Sequence, residues 1–122
     1  MGREYFLDTY ALIEILRGNA LYKQLLNETC HTTMMNLLEL HYILLKDFSA
    51  EKSDEIITTY KPLCIPVTLA DIQLASRYRK KRSKNQLSYI DCLGYSTAQN
   101  NTFVFVTGDK EFAGESGVKF MK

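Results

Sequence analysis

Apolar residues fall along this chain in two rhythms, short unbroken runs and repeats spaced three or four apart. The first rhythm marks buried strands, the second helices with an inner face. Tyr5-Phe6-Leu7 is a run that stops on Asp8. Ala11, Leu12, Ile15 and Leu16 then repeat at helical spacing from Thr9 to Arg17, with Gly18 as a stop. Asn19 or Ala20 opens a second short helix through Leu21, Tyr22, Leu25 and Leu26, and Thr29-Cys30-His31-Thr32 reads as a short strand. From about Met34 to Phe48 apolar side chains occur nearly all round a helix, which predicts an element covered on most sides. Glu39 lies in the middle of it.

Glu51 to Lys61 reads as a polar amphipathic helix with Ile56, Ile57 and Tyr60 on its inner face. Pro62 to Val67 reads as a short edge strand bracketed by prolines. Thr68-Leu69-Ala70-Asp71 opens the next helix as a capping box, which assigns Asp71 to structure. A further helix runs from Ser88 to about Gln99, again with an acid, Asp91, three residues after its cap, and Asn100-Asn101 stops it. Thr102 to Thr107 is a β-branched and aromatic run suited to a buried parallel strand. It runs into Gly108-Asp109 much as the first strand runs into Asp8. A helical turn at Lys110-Glu111-Phe112 and a small strand at Gly117 to Phe120 follow. Strands alternating with helices predict one α/β domain over residues 1–122, three-layered, with a mainly parallel sheet.

At 122 residues and 46% hydrophobic, the chain is long and apolar enough to bury a single core. Its net charge of +1 creates no global field for nucleic acid or membrane, so any such attraction is local. One stretch supplies it: Arg77, Arg79, Lys80, Lys81, Arg82 and Lys84. Removing those six from the chain's 15 basic residues leaves 9 against 14 acidic. That density exceeds what a helix end needs and makes the run a candidate contact for RNA phosphates or an acidic partner. Cys30, Cys64 and Cys92 are odd in number and lack C-x-x-C spacing, so they read as reduced thiols. No apolar run approaches the ~20 residues that span a bilayer, and the stretch from Met1 to Phe6 has no signal-peptide core. The expectation is a soluble, cytoplasmic protein.

The candidate chemistry is carboxylate chemistry. Asp8 and Asp109 end strands, Asp91 opens a helix and Glu39 lies inside an apolar one. Asp8 and Asp91 also read as helix-capping residues, and Glu39 as part of an outward polar strip with Asn36 and Lys46. Acids that follow parallel strands share one edge of the sheet, where ligands collect, and right-handed crossovers bring helix ends to the same edge. Two carboxylates at ~5 Å repel by roughly 3 kcal/mol at an effective dielectric of ~20, so such a cluster calls for a cation. Oxygen donors with no matched His or Cys suit Mg²⁺ or Mn²⁺ better than Zn²⁺. His31 and His41 lack ligand spacing and read as structural.

The stretches Phe6-Leu7-Asp8-Thr9, Asn36-Leu37-Leu38-Glu39-Leu40, Tyr89-Ile90-Asp91-Cys92 and Val106-Thr107-Gly108-Asp109-Lys110-Glu111-Phe112 resemble the four acidic motifs of PIN-domain ribonucleases. Among these the chain is most similar to the small VapC-type toxins of prokaryotic toxin–antitoxin pairs. The resemblance implies a PIN-like α/β/α fold and a Mg²⁺- or Mn²⁺-dependent endoribonuclease with Asp8, Glu39, Asp91 and Asp109 as the metal-holding, catalytic quartet. It further implies hydroxyl roles for Thr9 and Thr107, an accessory acid at Glu111, a homodimer and a cognate antitoxin. Gly108 stands where that family often has Asn, and Gly94 interrupts the Asp91 helix. A PIN-like module that binds RNA or protein without cleaving is the alternative; its usual sign is a missing acid, and all four are present. A phospho-receiver domain wants paired acids after the first strand, whereas Asp8 is followed by Thr9-Tyr10. No glycine-rich phosphate loop supports nucleotide hydrolysis.

Overall fold

The computed structural model describes residues 2–122, so only Met1 of the expected domain lies outside it. Four strands, β1 (Glu4–Leu7), β2 (Thr29–His31), β3 (Val104–Thr107) and β4 (Val118–Phe120), form one parallel sheet in the spatial order β2-β1-β3-β4. The helices are α1 (Thr9–Leu16), α2 (Met34–Leu44), α3 (Ala50–Tyr60), α4 (Leu69–Lys81) and α5 (Tyr89–Asn100). Tighter 3-10 segments occupy Ala20–Leu25, Lys61–Leu63 and Lys110–Phe112.

Strand alternation builds the layers. Phe6 pairs in register with Phe105, and Leu7 with Val106, and successive side chains point to opposite faces. Phe6 and Phe105 therefore meet Cys92, Tyr95 and Ala98 of α5 and Ala75 of α4 on one face. Leu7 and Val106 meet Ala11 and Leu12 of α1 and Leu37, Leu40 and Leu44 of α2 on the other. This is the three-layer α/β architecture with a parallel sheet. The chain leaves β1 toward β2 on one side and returns to β3 on the other, which makes the carboxyl ends of β1 and β3 the switch point where such sheets bind ligands.

Four expectations change. Pro62 to Val67 is not a strand: Lys61–Leu63 closes a 3-10 turn, and a single bridge joins Thr32 to Cys64. Pro62 has no N–H to offer a ladder, and the Cys64 N–H is turned back onto the Lys61 carbonyl at 3.0 Å. The helix expected to reach Phe48 ends at Leu44, and the chain passes through tight turns to Ser49, whose hydroxyl caps α3. Nor is α2 covered on most sides, since Met34, Leu38 and Tyr42, four residues apart, are 56%, 60% and 65% exposed. Gly94, finally, does not interrupt α5. A Cβ there would stand 3.1 Å from Phe6 Cε1, so its absence is what lets an unbroken helix lie on the sheet.

Candidate active site

Each strand-end acid starts the element that follows it. Asp8 leaves β1 with extended backbone and caps α1, its Oδ1 accepting from the Ala11 N–H at 2.8 Å. Asp109 follows β3 and caps the 3-10 turn, its Oδ1 accepting from the Glu111 N–H at 3.0 Å. Asp91 closes a capping box at the start of α5, its Oδ2 accepting from the Ser88 N–H at 2.8 Å while Ser88 Oγ accepts from the Asp91 N–H. The capping role thus falls on three of the residues expected to hold a metal. A carboxylate has two oxygens, and in Asp91 and Asp109 the cap engages only one of them.

These three acids and Glu39 of α2 line one cleft of about 480 Å³ at the carboxyl edge of the sheet, together with Thr9, Tyr10, Ile13, Ile43, Gly108, Lys110 and Lys122. Glu39 is half-buried and faces this cleft, so the outward polar strip is not its setting. Asn36, expected beside it on that strip, is buried instead. It accepts from the Thr33 hydroxyl at 2.7 Å and donates to Thr9 Oγ1 at 3.2 Å, tying the start of α2 to the start of α1. Thr107, fully buried, accepts from the Asp109 N–H at 3.0 Å and hydrogen-bonds Asp8. Thr107 thus ties the ends of the first and third strands together beneath the acids, while Thr9 is held by Asn36.

Other predicted residues stand elsewhere. Glu111 does not line the cleft: its Oε2 accepts from Asn85 Nδ2 at 2.6 Å, and its carbonyl from Arg82 Nη2 at 3.0 Å. Arg82, in the basic run, also reaches the Tyr78 hydroxyl and Glu115, so it fastens the loop after Asp109 to the end of α4. Arg79 stacks over the Tyr89 ring at 4.1 Å. Arg77, Lys80, Lys81 and Lys84 are exposed, and none of the six lines the cleft. His31 pairs with Glu4 and stacks on Phe103, and His41 pairs with Asp54 of α3. Asp71 completes its capping box and accepts from Asn100 Nδ2 at 2.8 Å. The three cysteines are free.

Burial pushes Asp8 up to about 7, with Asp91 and Asp109 adding to the rise and the Thr107 and Ala11 hydrogen bonds opposing it. Asp91 is likewise raised by burial, and Glu39 and Asp109 add to it. The acids therefore sense one another, yet among the described residues no three His, Cys, Asp or Glu side chains are gathered closely enough to hold a metal as they stand. The donor set nevertheless fits a hard divalent cation in kind: carboxylate and hydroxyl oxygens, no sulfur or imidazole, and mutual repulsion that a positive charge would relieve.

Residues 5–114 match the model of the PIN domain. The chain belongs to the PIN-domain family. No curated protein sequence matches it. Among solved structures it is similar to a toxin–antitoxin complex from Klebsiella pneumoniae, with a TM-score of 0.74, 21% identity, and coverage of 94% of this chain and 95% of that one. VapBC2 from Rickettsia felis, bound to a DNA fragment from its promoter, gives 0.74 at 18% identity over 97% of both chains. VapC20 of Mycobacterium tuberculosis, a sarcin–ricin-loop-cleaving toxin, gives 0.71 at 15% identity over 90% of this chain and 95% of that one. At these identities the likeness is one of fold, and it extends over nearly the whole PIN domain. Of the residues lining the cleft, Tyr10, Lys110 and Lys122 were not singled out by residue-by-residue reading. Tyr10 and Lys110 each stand within two residues of a site acid, which is the one signal that marked them.

Proposed function

We propose that this PIN domain is a divalent-metal-dependent endoribonuclease and the toxin of a toxin–antitoxin pair, working in the cytoplasm. One observation carries the reading: four acids from four separate elements, Asp8, Glu39, Asp91 and Asp109, line a single cleft at the sheet's switch point. Asp8, Asp91 and Asp109 are held by rigid caps and Glu39 by α2, and these four would hold Mg²⁺ or Mn²⁺. When bound, the cation supplies charge neutralisation at the phosphodiester and a water of lowered pKa for in-line attack, leaving a 5′-phosphate. Thr9 and Thr107 orient the acids, and Asn36 fixes Thr9. The solved toxin–antitoxin complexes of the same fold support a protein antitoxin as partner. The exposed apolar stripe of Met34, Leu38 and Tyr42 supports a protein-covered face, for an antitoxin or a second copy of the chain. Among the described residues no helix is long and apolar enough to cross a membrane.

The test is cleavage of single-stranded RNA by purified protein with Mn²⁺ or with EDTA. Asp8→Asn and Glu39→Gln are expected to abolish metal-dependent cleavage while keeping the circular dichroism of the native fold. Cleavage by both variants at the wild-type rate would overturn the assignment.

A further inference from the structure

Gly108 stands between β3 and Asp109, and its lack of a side chain is filled by a neighbour. A Cβ at 108 would lie within 2.7 Å of Tyr10 Cδ1 and closer still to Cε1 and Cζ. Real Cβ atoms do not approach a ring that closely, so any other residue at 108 has to displace Tyr10. Gly108 and Tyr10 are therefore a matched pair: the glycine leaves a space beside Asp109, and the aromatic ring occupies it.

That ring is half-buried and lines the cleft two residues after Asp8. Two cations border the same cleft. Lys110 follows Asp109 directly. Lys122 is brought there because Met121, buried, donates its N–H to the Thr107 carbonyl at 2.8 Å and accepts from the Tyr22 hydroxyl. The Tyr10 ring packs on one side against Gly108 and the core below it, and shares the cleft wall with two lysines and the acids. An aromatic side chain and cations lining one groove are the parts that take an unpaired nucleobase and its phosphates. We infer that Tyr10 is the stacking wall for one base of a single-stranded RNA substrate, with Lys110 and Lys122 receiving the adjacent phosphates. This rests on the nuclease reading and adds to it the residue that grips the strand. Stacking is sequence-tolerant, so Tyr10 sets the requirement for an unpaired base and leaves its identity open. The basic run around Arg79 is not needed for this grip.

The chain contains no tryptophan, so Tyr10→Trp places a single reporter in the cleft. Binding of a fluorescein-labelled 12-nucleotide RNA is measured with EDTA present, so the strand stays intact. Tyr10→Ala and the volume-matched Tyr10→Leu should each weaken binding about 10-fold, in the range of one base stacked on one ring. Tyr10→Phe and Tyr10→Trp should retain it, and unlabelled RNA should quench the indole emission of the Tyr10→Trp variant. Gly108→Asn, which leaves every acid in place, should match Tyr10→Leu. A strand with the same phosphates but no bases should bind wild type about 10-fold more weakly, bind Tyr10→Ala with no further loss, and leave the reporter unquenched. Equal affinity of wild type and Tyr10→Ala for the RNA, or equal quenching by the base-free strand, would overturn the stacking role. Wild-type protein that cleaves with Mn²⁺ but ignores Tyr10 substitution overturns this inference alone. Binding that depends on both the bases and Tyr10, without metal-dependent cleavage, overturns the nuclease reading and upholds the stacking wall.

Discussion

Replacing Asp8 by Asn should stabilise the metal-free protein, by an amount that depends on pH in a defined way. Asp8 is 5% exposed, and burial with its acidic neighbours raises it from 3.8 to about 7. At ~1.4 kcal/mol per tenfold change in acidity, ionising it in the folded chain costs ~4 kcal/mol more than in the unfolded chain. Between pH ~4 and ~7 the folded state holds a proton that the unfolded state has released, so stability falls as pH rises through that window. Above pH 7 Asp8 is ionised in both states and the loss is complete. Asn keeps an acceptor oxygen for the Ala11 N–H and carries no charge. The advantage of Asp8→Asn should therefore be ~4 kcal/mol at most at pH 8, shared with relief of Asp91 and Asp109, and shrink by ~1.4 kcal/mol per pH unit below pH 7. Urea unfolding of both proteins at pH 5, 6, 7 and 8 in EDTA measures it. A variant less stable than wild type at pH 8, or an advantage constant across the series, would refute the claim that Asp8 is held at a charge-averse position.

The remaining expectations are shorter. Mn²⁺ at 100 times its dissociation constant should add ~2.7 kcal/mol, a rise of several degrees in melting temperature that NaCl does not reproduce; a curve indifferent to millimolar Mn²⁺ would mean the four acids do not converge on a cation. If the exposed Arg77, Lys80, Lys81 and Lys84 touch RNA phosphates, changing all four to Gln should flatten the log–log salt dependence of binding by roughly 0.7 per contact; an unchanged slope would exclude phosphate contact. Gly94→Val should cost ~1–3 kcal/mol by overpacking against Phe6, read by urea unfolding, and a variant as stable as wild type would contradict that close packing.

What was legible in the sequence was whatever a local rule controls. Asp8, Asp91 and Asp109 could be found because an acid at a strand end or a helix start is both a cap and a candidate ligand; the capping bonds are present, and all three acids line the same cleft. The β3 run and the parallel sheet followed from unbroken apolar segments between helical ones. Residues whose role depends on a distant neighbour were not legible. Asn36 among apolar residues looks like a solvent strip until Thr9 is known to be 3.2 Å away. Glu111 resembles a site acid by motif, but Asn85, 26 positions earlier, holds its carboxylate away from the cleft. The apolar excess of α2 said that it is covered, and could not say that its own chain leaves Met34, Leu38 and Tyr42 bare.

The caps also limit how far the acids can move. A buried carboxylate beside other acids is costly to ionise, and the cost would ordinarily be relieved by the side chain turning out to solvent. Here that escape is hindered locally. Turning Asp8 away would leave the Ala11 N–H without its acceptor, turning Asp91 would open the Ser88 capping box, and turning Asp109 would release the Glu111 N–H. Each cap is worth about 1 kcal/mol, and Thr107 adds a bond to the Asp8 carboxylate. Held in place, Asp8 is raised to about 7 by burial first and by its acidic neighbours second, so it carries a proton over much of the range below neutral pH. A proton bound near neutral pH is one that an arriving cation has to displace, so cation binding to this cleft should release protons and tighten as pH rises from 6 to 8. Titration calorimetry of Mn²⁺ in two buffers of different ionisation enthalpy counts them: about one proton released at pH 6 and close to none at pH 8. No buffer dependence at pH 6 would show that Asp8 already stands ionised, and that its caps hold a charge the burial argument says they cannot.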